Sequence, residues 1–119
     1  MEDTARQRTR GFEAVNGTRL WTEVDGAGSP LVLIHGSPLD ARMWEPQIVP
    51  LAQAHRLIRY DVRGYGRSDP PCGTPYRHEE DLAGLLDWLG VERAAVLGLS
   101  MGGRLAVDFA LAYPARVSA

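Results

Sequence analysis

The residues best suited to do chemistry are Gly98-Leu99-Ser100-Met101-Gly102, which place one serine between two glycines. A short apolar run precedes this pentapeptide, and a segment that can form a helix follows it. A serine at a sharp turn from strand to helix has its hydroxyl lifted clear of the backbone, and glycines let the two elements approach closely. Free N–H groups at the start of such a helix face the place where an oxyanion would form. The pattern therefore predicts that Ser100 is a nucleophile.

A second loop with polar groups, His35-Gly36-Ser37-Pro38, follows another apolar run at residues 31–34. Such a run is typical of a central parallel strand that is buried on both faces. A neutral serine is a poor nucleophile, and it needs a base within hydrogen-bond reach and an acid that orients this base. A base or an orienting acid for Ser100 must therefore lie on loops that neighbouring strands place beside it.

The remaining patterns supply those strands and the helices between them. Residues 11–16 and 19–25 read as a β-hairpin around Asn16-Gly17, and residues 57–61 and 93–99 read as further strands. Helices are predicted within residues 42–54, where Pro46 and Pro50 delay or break the helix, and at residues 79–89 and 101–113. This order predicts an α/β fold, a mostly parallel sheet with an N-terminal hairpin and helices on both faces. Residues 1–10 are expected to be a disordered lead-in, and residues 11–119 to form the domain.

Composition narrows the classes of partner and location. The chain has 119 residues, 45% of them hydrophobic and 24% charged, as expected for one globular domain. Its net charge of −2 favours neither nucleic acid nor membrane as a partner. Residues 1–10 lack the apolar core of a secretory signal, and with Cys72 as the sole cysteine we expect a cytoplasmic location. The histidines and Cys72 do not have metal-ligand spacing, so no metal is expected.

Longer blocks of sequence carry a family resemblance. They are Met43-Trp44-x-Pro46-Gln47, Arg59-Tyr60-Asp61-x-Arg63-Gly64-x-Gly66-x-Ser68-Asp69, Asp87-x-Leu89-Gly90-Val91-Glu92 and the segment around Ser100. Together they resemble the N-terminal portion of the α/β-hydrolase superfamily, nearest to its esterases, 3-oxoadipate enol-lactonases and cofactor-free perhydrolases. The resemblance implies a truncated α/β-hydrolase fold, in which Asp61, Arg63 and Asp69 are chiefly structural.

The resemblance also implies a reaction. Ser100 would attack short or activated carboxylic esters and form an acyl-enzyme, while the backbone N–H groups of Ser37 and Met101 would form the oxyanion hole. No cofactor is implied, and a small-molecule ester is the expected partner. A lactonase or a cofactor-free perhydrolase is an alternative on the same fold. A serine at position 100 argues against haloalkane dehalogenase and epoxide hydrolase chemistry, because those relatives use an aspartate there.

The acid and the histidine that complete the family's catalytic triad have no match in this chain, which leaves three alternatives. A substitute base could activate Ser100, with His35 as the best-placed residue, ahead of His78 and then His55. The chain could instead be a catalytically inactive fragment or interaction module, or another polypeptide could supply the missing half. In each case the far edge of the strand before Ser100 would be apolar and unpaired at residues 95–97, so we expect a homo-oligomer through that exposed edge or through the helix that follows Ser100.

Overall fold

The computed structural model describes residues 8–119, and a five-stranded sheet forms its centre. The strands are β1 (Arg8–Val15), β2 (Thr18–Asp25), β3 (Ser29–Ile34), β4 (His55–Tyr60) and β5 (Ala95–Gly98). Across the sheet their order is β1-β2-β4-β3-β5. The helices are α1 (Glu45–Ala52), α2 (His78–Trp88) and α3 (Met101–Ala112), with short 3₁₀ turns at Ala41–Trp44 and Pro114–Arg116.

The first two strands form the predicted hairpin. Asn16 and Gly17 both have positive φ, 48° and 77°, as a two-residue hairpin turn of the favoured twist requires. The hairpin is longer than predicted, because Arg8 already pairs with Asp25 in the antiparallel ladder. The predicted disordered lead-in is therefore wrong for residues 8–10, which belong to β1, and its remaining residues 1–7 lie outside the described part of the chain.

The pairing of the strands changes from antiparallel to parallel across the sheet. β2 is antiparallel to β1 and to β4, whereas β3 is parallel to both of its neighbours, β4 and β5. The carboxyl ends of β3, β4 and β5 consequently meet at one edge of the sheet, where sites of open α/β sheets form. The predicted α/β fold with an N-terminal hairpin is confirmed, and its sheet is mixed.

Apolar side chains hold helices against both faces of the sheet. On one face, α2 and α3 pack against the strands through Leu82, Leu86, Leu105 and Phe109. On the other face, Ile48 of α1 packs with Trp44, Leu33 and Leu57. Pro46 lies at the start of α1, where its missing N–H breaks no helical bond, and Pro50 lies inside the helix. None of the helices in residues 8–119 is long and apolar enough to cross a lipid bilayer.

The far edge of β5 differs from the prediction. After α3, the turn Pro114–Arg116 reverses the chain, and Val117 then forms a parallel bridge with Ala94. Ser118 donates its N–H to Ala94 O at 2.9 Å, and Val96 donates its own to Ala119 O at 3.0 Å. The expectation of an unpaired edge is therefore wrong for the first half of β5, because the last residues of the sequence already cover it.

Candidate active site

Ser100 lies at the turn that joins β5 to α3, in a backbone conformation that costs energy. Its φ of 55° and ψ of −116° are rarely adopted by a residue with a side chain, and such strain is concentrated at functional sites. A Cβ on Gly102 would lie 2.6 Å from His35 O, and a Cβ on Gly98 would lie 2.5 Å from Gly103 N. These collisions show why both positions are glycine. The predicted strand-to-helix turn is confirmed, and the role of Ser100 as nucleophile stays a prediction.

The loop after β3 lies directly beside this turn. Leu99 donates its N–H to Ile34 O at 3.2 Å. A Cβ on Gly36 would lie only 3.1 Å from Leu99 O and 3.5 Å from the Ser100 Cβ. We call residues 35–38 the oxyanion loop, because Ser37, its predicted N–H donor, follows Gly36.

Two backbone amides near Ser100 are free of protein acceptors. At the start of α3, Gly102 donates to Leu99 O at 2.9 Å and Arg104 donates to Ser100 O at 3.1 Å. Within residues 8–119, the N–H groups of Ser37 and Met101 donate to no protein atom. Two free N–H groups near a serine are what the stabilisation of a tetrahedral oxyanion requires. The geometry is consistent with the predicted roles of Ser37 and Met101, which stay predictions.

His35 is fully buried, and both of its ring nitrogens are engaged. Its Nε2 accepts the N–H of Val62 at 2.9 Å, so the ring proton is on Nδ1, which donates to Gly36 O at 3.0 Å. A base needs an unoccupied nitrogen within reach of the serine hydroxyl. The structure thus contradicts the expectation that His35 is the substitute base. The physical reason is that the buried amide of Val62 requires an acceptor, and the imidazole provides it.

The other two histidines lie away from Ser100. His55 is the first residue of β4, so it lies at the amino-terminal ends of the parallel strands, whereas Ser100 lies at their carboxyl ends. There its Nδ1 lies 3.1 Å from Ser29 Oγ. His78 begins α2, and burial lowers the pKa of its imidazole below the usual value. Asp81, one turn into α2, binds Asn16 in the hairpin turn, which places this helix start beside β1 and β2 rather than β5. No hydrogen bond joins the Ser100 hydroxyl to an imidazole or carboxylate in the part of the chain that the structure describes.

The charged residues of the loop after β4 stabilise the fold, in agreement with the role that the resemblance implies. Asp61 accepts the N–H groups of Ala41 at 2.8 Å and Arg67 at 2.9 Å. Arg63 forms two bonds to the buried Asp81, at 2.7 and 2.9 Å. A third pair joins the Asp69 carboxylate to Arg19, at 3.0 and 3.1 Å. The Arg19 guanidinium lowers the pKa of Asp69 through these bonds.

The sequence patterns did not single out Tyr65, although its hydroxyl reaches the oxyanion loop. Tyr65 Oη donates to Ser37 Oγ at 3.2 Å, and its ring meets the edge of His35 with 5.4 Å between centroids. The signal in the sequence was weak, one aromatic residue between Gly64 and Gly66. Within residues 8–119, no cluster of histidine, cysteine and carboxylate side chains could hold a metal ion.

Comparisons with known proteins agree with this geometry. The chain matches a family described as having the alpha/beta hydrolase fold over residues 29–119. It is 45% identical over 111 residues to a 2-hydroxy-6-oxononadienedioate/2-hydroxy-6-oxononatrienedioate hydrolase of Paraburkholderia phymatum, with 85% of this chain and 38% of the relative covered. It is 40% identical over 99 residues to a pimeloyl-[acyl-carrier protein] methyl ester esterase of Pectobacterium atrosepticum, with 82% and 38% covered.

A solved structure shows the same fold. An epoxide hydrolase mutant of Vigna radiata superimposes with a TM-score of 0.88 at 27% identity, covering 95% of this chain and 37% of that one. The chain thus spans well under half the length of these relatives. The sheet order, the turn at Ser100 and the family match lead to one conclusion: the chain belongs to the alpha/beta hydrolase family.

Proposed function

We propose that this chain carries the nucleophile and the oxyanion hole of a serine hydrolase that acts on short or activated carboxylic esters. The observation that supports the proposal most directly is the exposed Ser100 on a strained turn, flanked by the free N–H groups of Ser37 and Met101. The serine itself favours an acyl-enzyme, because an aspartate would be the nucleophile for an epoxide or an alkyl halide. The methyl ester esterase of P. atrosepticum also supports an ester as the substrate.

In the proposed reaction, Ser100 Oγ forms a bond to the ester carbonyl carbon and loses its proton to a base. The amides of Ser37 and Met101 donate to the carbonyl oxygen as it becomes negatively charged. The bond from the carbonyl carbon to the alkoxy oxygen then breaks, the alcohol leaves, and water hydrolyses the acyl-enzyme. Within residues 8–119, no imidazole or carboxylate is hydrogen-bonded to the Ser100 hydroxyl, and both nitrogens of His35 are engaged. For this chain we therefore propose water as the proton acceptor, which suffices only for esters with good leaving groups.

The surroundings of Ser100 support small acyl groups. Leu39, which follows the oxyanion loop, and Leu99, which precedes Ser100, are 49% and 52% exposed, so these two side chains do not enclose the site. An open site holds a long chain poorly, because little of its apolar surface leaves water. A lactonase or a perhydrolase would use the same serine and the same oxyanion hole, and trials with lactones and with peroxide separate these alternatives.

Turnover of p-nitrophenyl acetate and butyrate by the purified protein tests the proposal. Oxyanion stabilisation and binding alone leave a rate about 10³- to 10⁴-fold above water when a triad is incomplete. We expect Ser100→Ala to reduce turnover to the buffer rate, and Ser118→Ala, a matched change at another exposed serine, to leave it unchanged. Equal rates for the wild type and Ser100→Ala would overturn the proposal and favour an inactive interaction module. Labelling of Ser100 by a fluorophosphonate, read by mass spectrometry, gives a second measure of its nucleophilicity.

A further inference from the structure

The oxyanion loop is held from behind by the segment that follows β4, residues 61–69, which we call the anchor segment. His35 accepts from Val62 in this segment, and the Asp61 carboxylate accepts from Ala41, just beyond the loop. Both contacts are buried. They fix the two ends of the loop but not its middle, where Ser37 lies.

The middle of the loop has one side-chain contact to the anchor segment. Ser37 is exposed, and its hydroxyl is bound by Tyr65 Oη at 3.2 Å. Tyr65 is itself well fixed, since its N–H donates to Val62 O at 2.8 Å and its carbonyl accepts from Ser68 at 3.1 Å. Its half-buried ring also packs edge-on against His35. The fixed Tyr65 ring therefore holds Ser37, the residue of the oxyanion loop whose N–H is free.

We propose that Tyr65 is a positioning residue for the reaction at Ser100, holding Ser37 so that its N–H points toward the oxyanion. The contact acts through the Ser37 hydroxyl, which accepts the phenol proton, and Tyr65 touches no reacting atom. An oxyanion donor stabilises the transition state only when it is correctly placed before the reaction, so a loosened loop lowers kcat. The kinetic part of this inference rests on the proposed function, whereas the structural part does not.

Kinetics with p-nitrophenyl acetate test the inference through a double-mutant cycle. We expect Tyr65→Phe and Ser37→Ala each to lower kcat about fivefold, the usual net worth of one hydrogen bond, with KM unchanged. The double variant should be no slower than either single variant, because both changes remove the same contact. Tyr113→Phe, which removes a phenol hydroxyl at the other end of α3, is the control and should be silent. Multiplying effects in the double variant, or an unchanged kcat in Tyr65→Phe, would overturn the inference.

A second measurement decides the question without turnover. In ¹H–¹⁵N spectra of Tyr65→Phe we expect the Ser37 amide resonance to shift and its hydrogen exchange to accelerate, while the Met101 amide remains as in the wild type. A Ser37 amide identical to that of the wild type would overturn the role of Tyr65. If the wild type shows no turnover that depends on Ser100, the proposed function fails, and these spectra still establish whether Tyr65 orders the loop.

Discussion

His35 and Ser100 lie in neighbouring loops, but their side chains are in opposite situations. The histidine is fully buried with both nitrogens bound, and the serine is exposed with no hydrogen bond to a base in the described residues. A side chain that completes the bonding of buried backbone is not available for proton transfer in the reaction. At the scale of single residues, the proposed nucleophile and the histidine that supports the backbone are thus two different side chains.

This assignment predicts that His35→Ala is primarily a stability variant. The change leaves the buried N–H of Val62 without its acceptor and opens a cavity, so we expect the free energy of unfolding to fall by about 2–4 kcal/mol. Urea denaturation measures the loss. His55→Ala, at the opposite edge of the sheet, is the control and should change stability by about 0.5 kcal/mol or less. Unchanged stability in His35→Ala together with lost ester turnover would restore His35 as the base.

At the scale of elements, the sequence predicts those features that are determined by residues close together in the chain, and it does not predict contacts between distant segments. The turn at Ser100 follows from Gly98 and Gly102, whose missing side chains are needed within five residues of each other. The contact of Tyr65 with Ser37 spans 28 positions and exists only because β3 and β4 are parallel neighbours. Likewise, the pairing of Val117 with Ala94 needs the turn after α3, which no periodic pattern indicates.

Two adjacent glycines in α3 allow a matched test of the turn. A Cβ at position 102 collides with the carbonyls of Ile34 and His35, whereas a Cβ at position 103 lies 3.4 Å from Gly98 O. We expect Gly102→Ala to destabilise the protein by at least about 3 kcal/mol. Gly103→Ala should be neutral or stabilising by up to about 1 kcal/mol, as expected for this change inside a helix. Thermal and urea unfolding of the two variants side by side would measure the difference, and equal stabilities would contradict the close packing of strand and helix.

At the scale of the whole molecule, the two ends of the sheet are held differently. At the hairpin end, Arg63 and Asp81 form a buried ion pair that also binds Asn16, which joins the hairpin to α2. At the β5 end, α3 exposes apolar side chains, with Val107 59% and Leu111 77% exposed. Exposed apolar surface that is contiguous favours association. Residues 117–119 cover part of the β5 edge, whereas Val107 and Leu111 lie one helical turn apart on the same side of α3 and are exposed.

We propose that a second copy of the chain packs against this surface of α3, so the protein should form a dimer or larger oligomer. Light scattering at micromolar concentration measures its mass. Leu111→Glu should shift the equilibrium toward the monomer, since the proposed packing would bury the new charge without a partner. Val49→Glu is the matched control, because Val49 is 71% exposed on α1 at the other face of the sheet. A clean monomer for the wild type would contradict the proposal.

The anchor segment has a consequence for how such a site can diversify. The contacts that fix the oxyanion loop come from behind it, and the side chains of Leu39 and Leu99 take no part in them. Leu39 follows the oxyanion loop, Leu99 precedes Ser100, and both side chains are about half exposed. Under the proposed function, new side chains at these positions change which acyl group is preferred while the N–H donor of the oxyanion loop stays in place. The residues that hold the proposed oxyanion donors and the residues that would determine substrate preference are therefore different, and they can change independently.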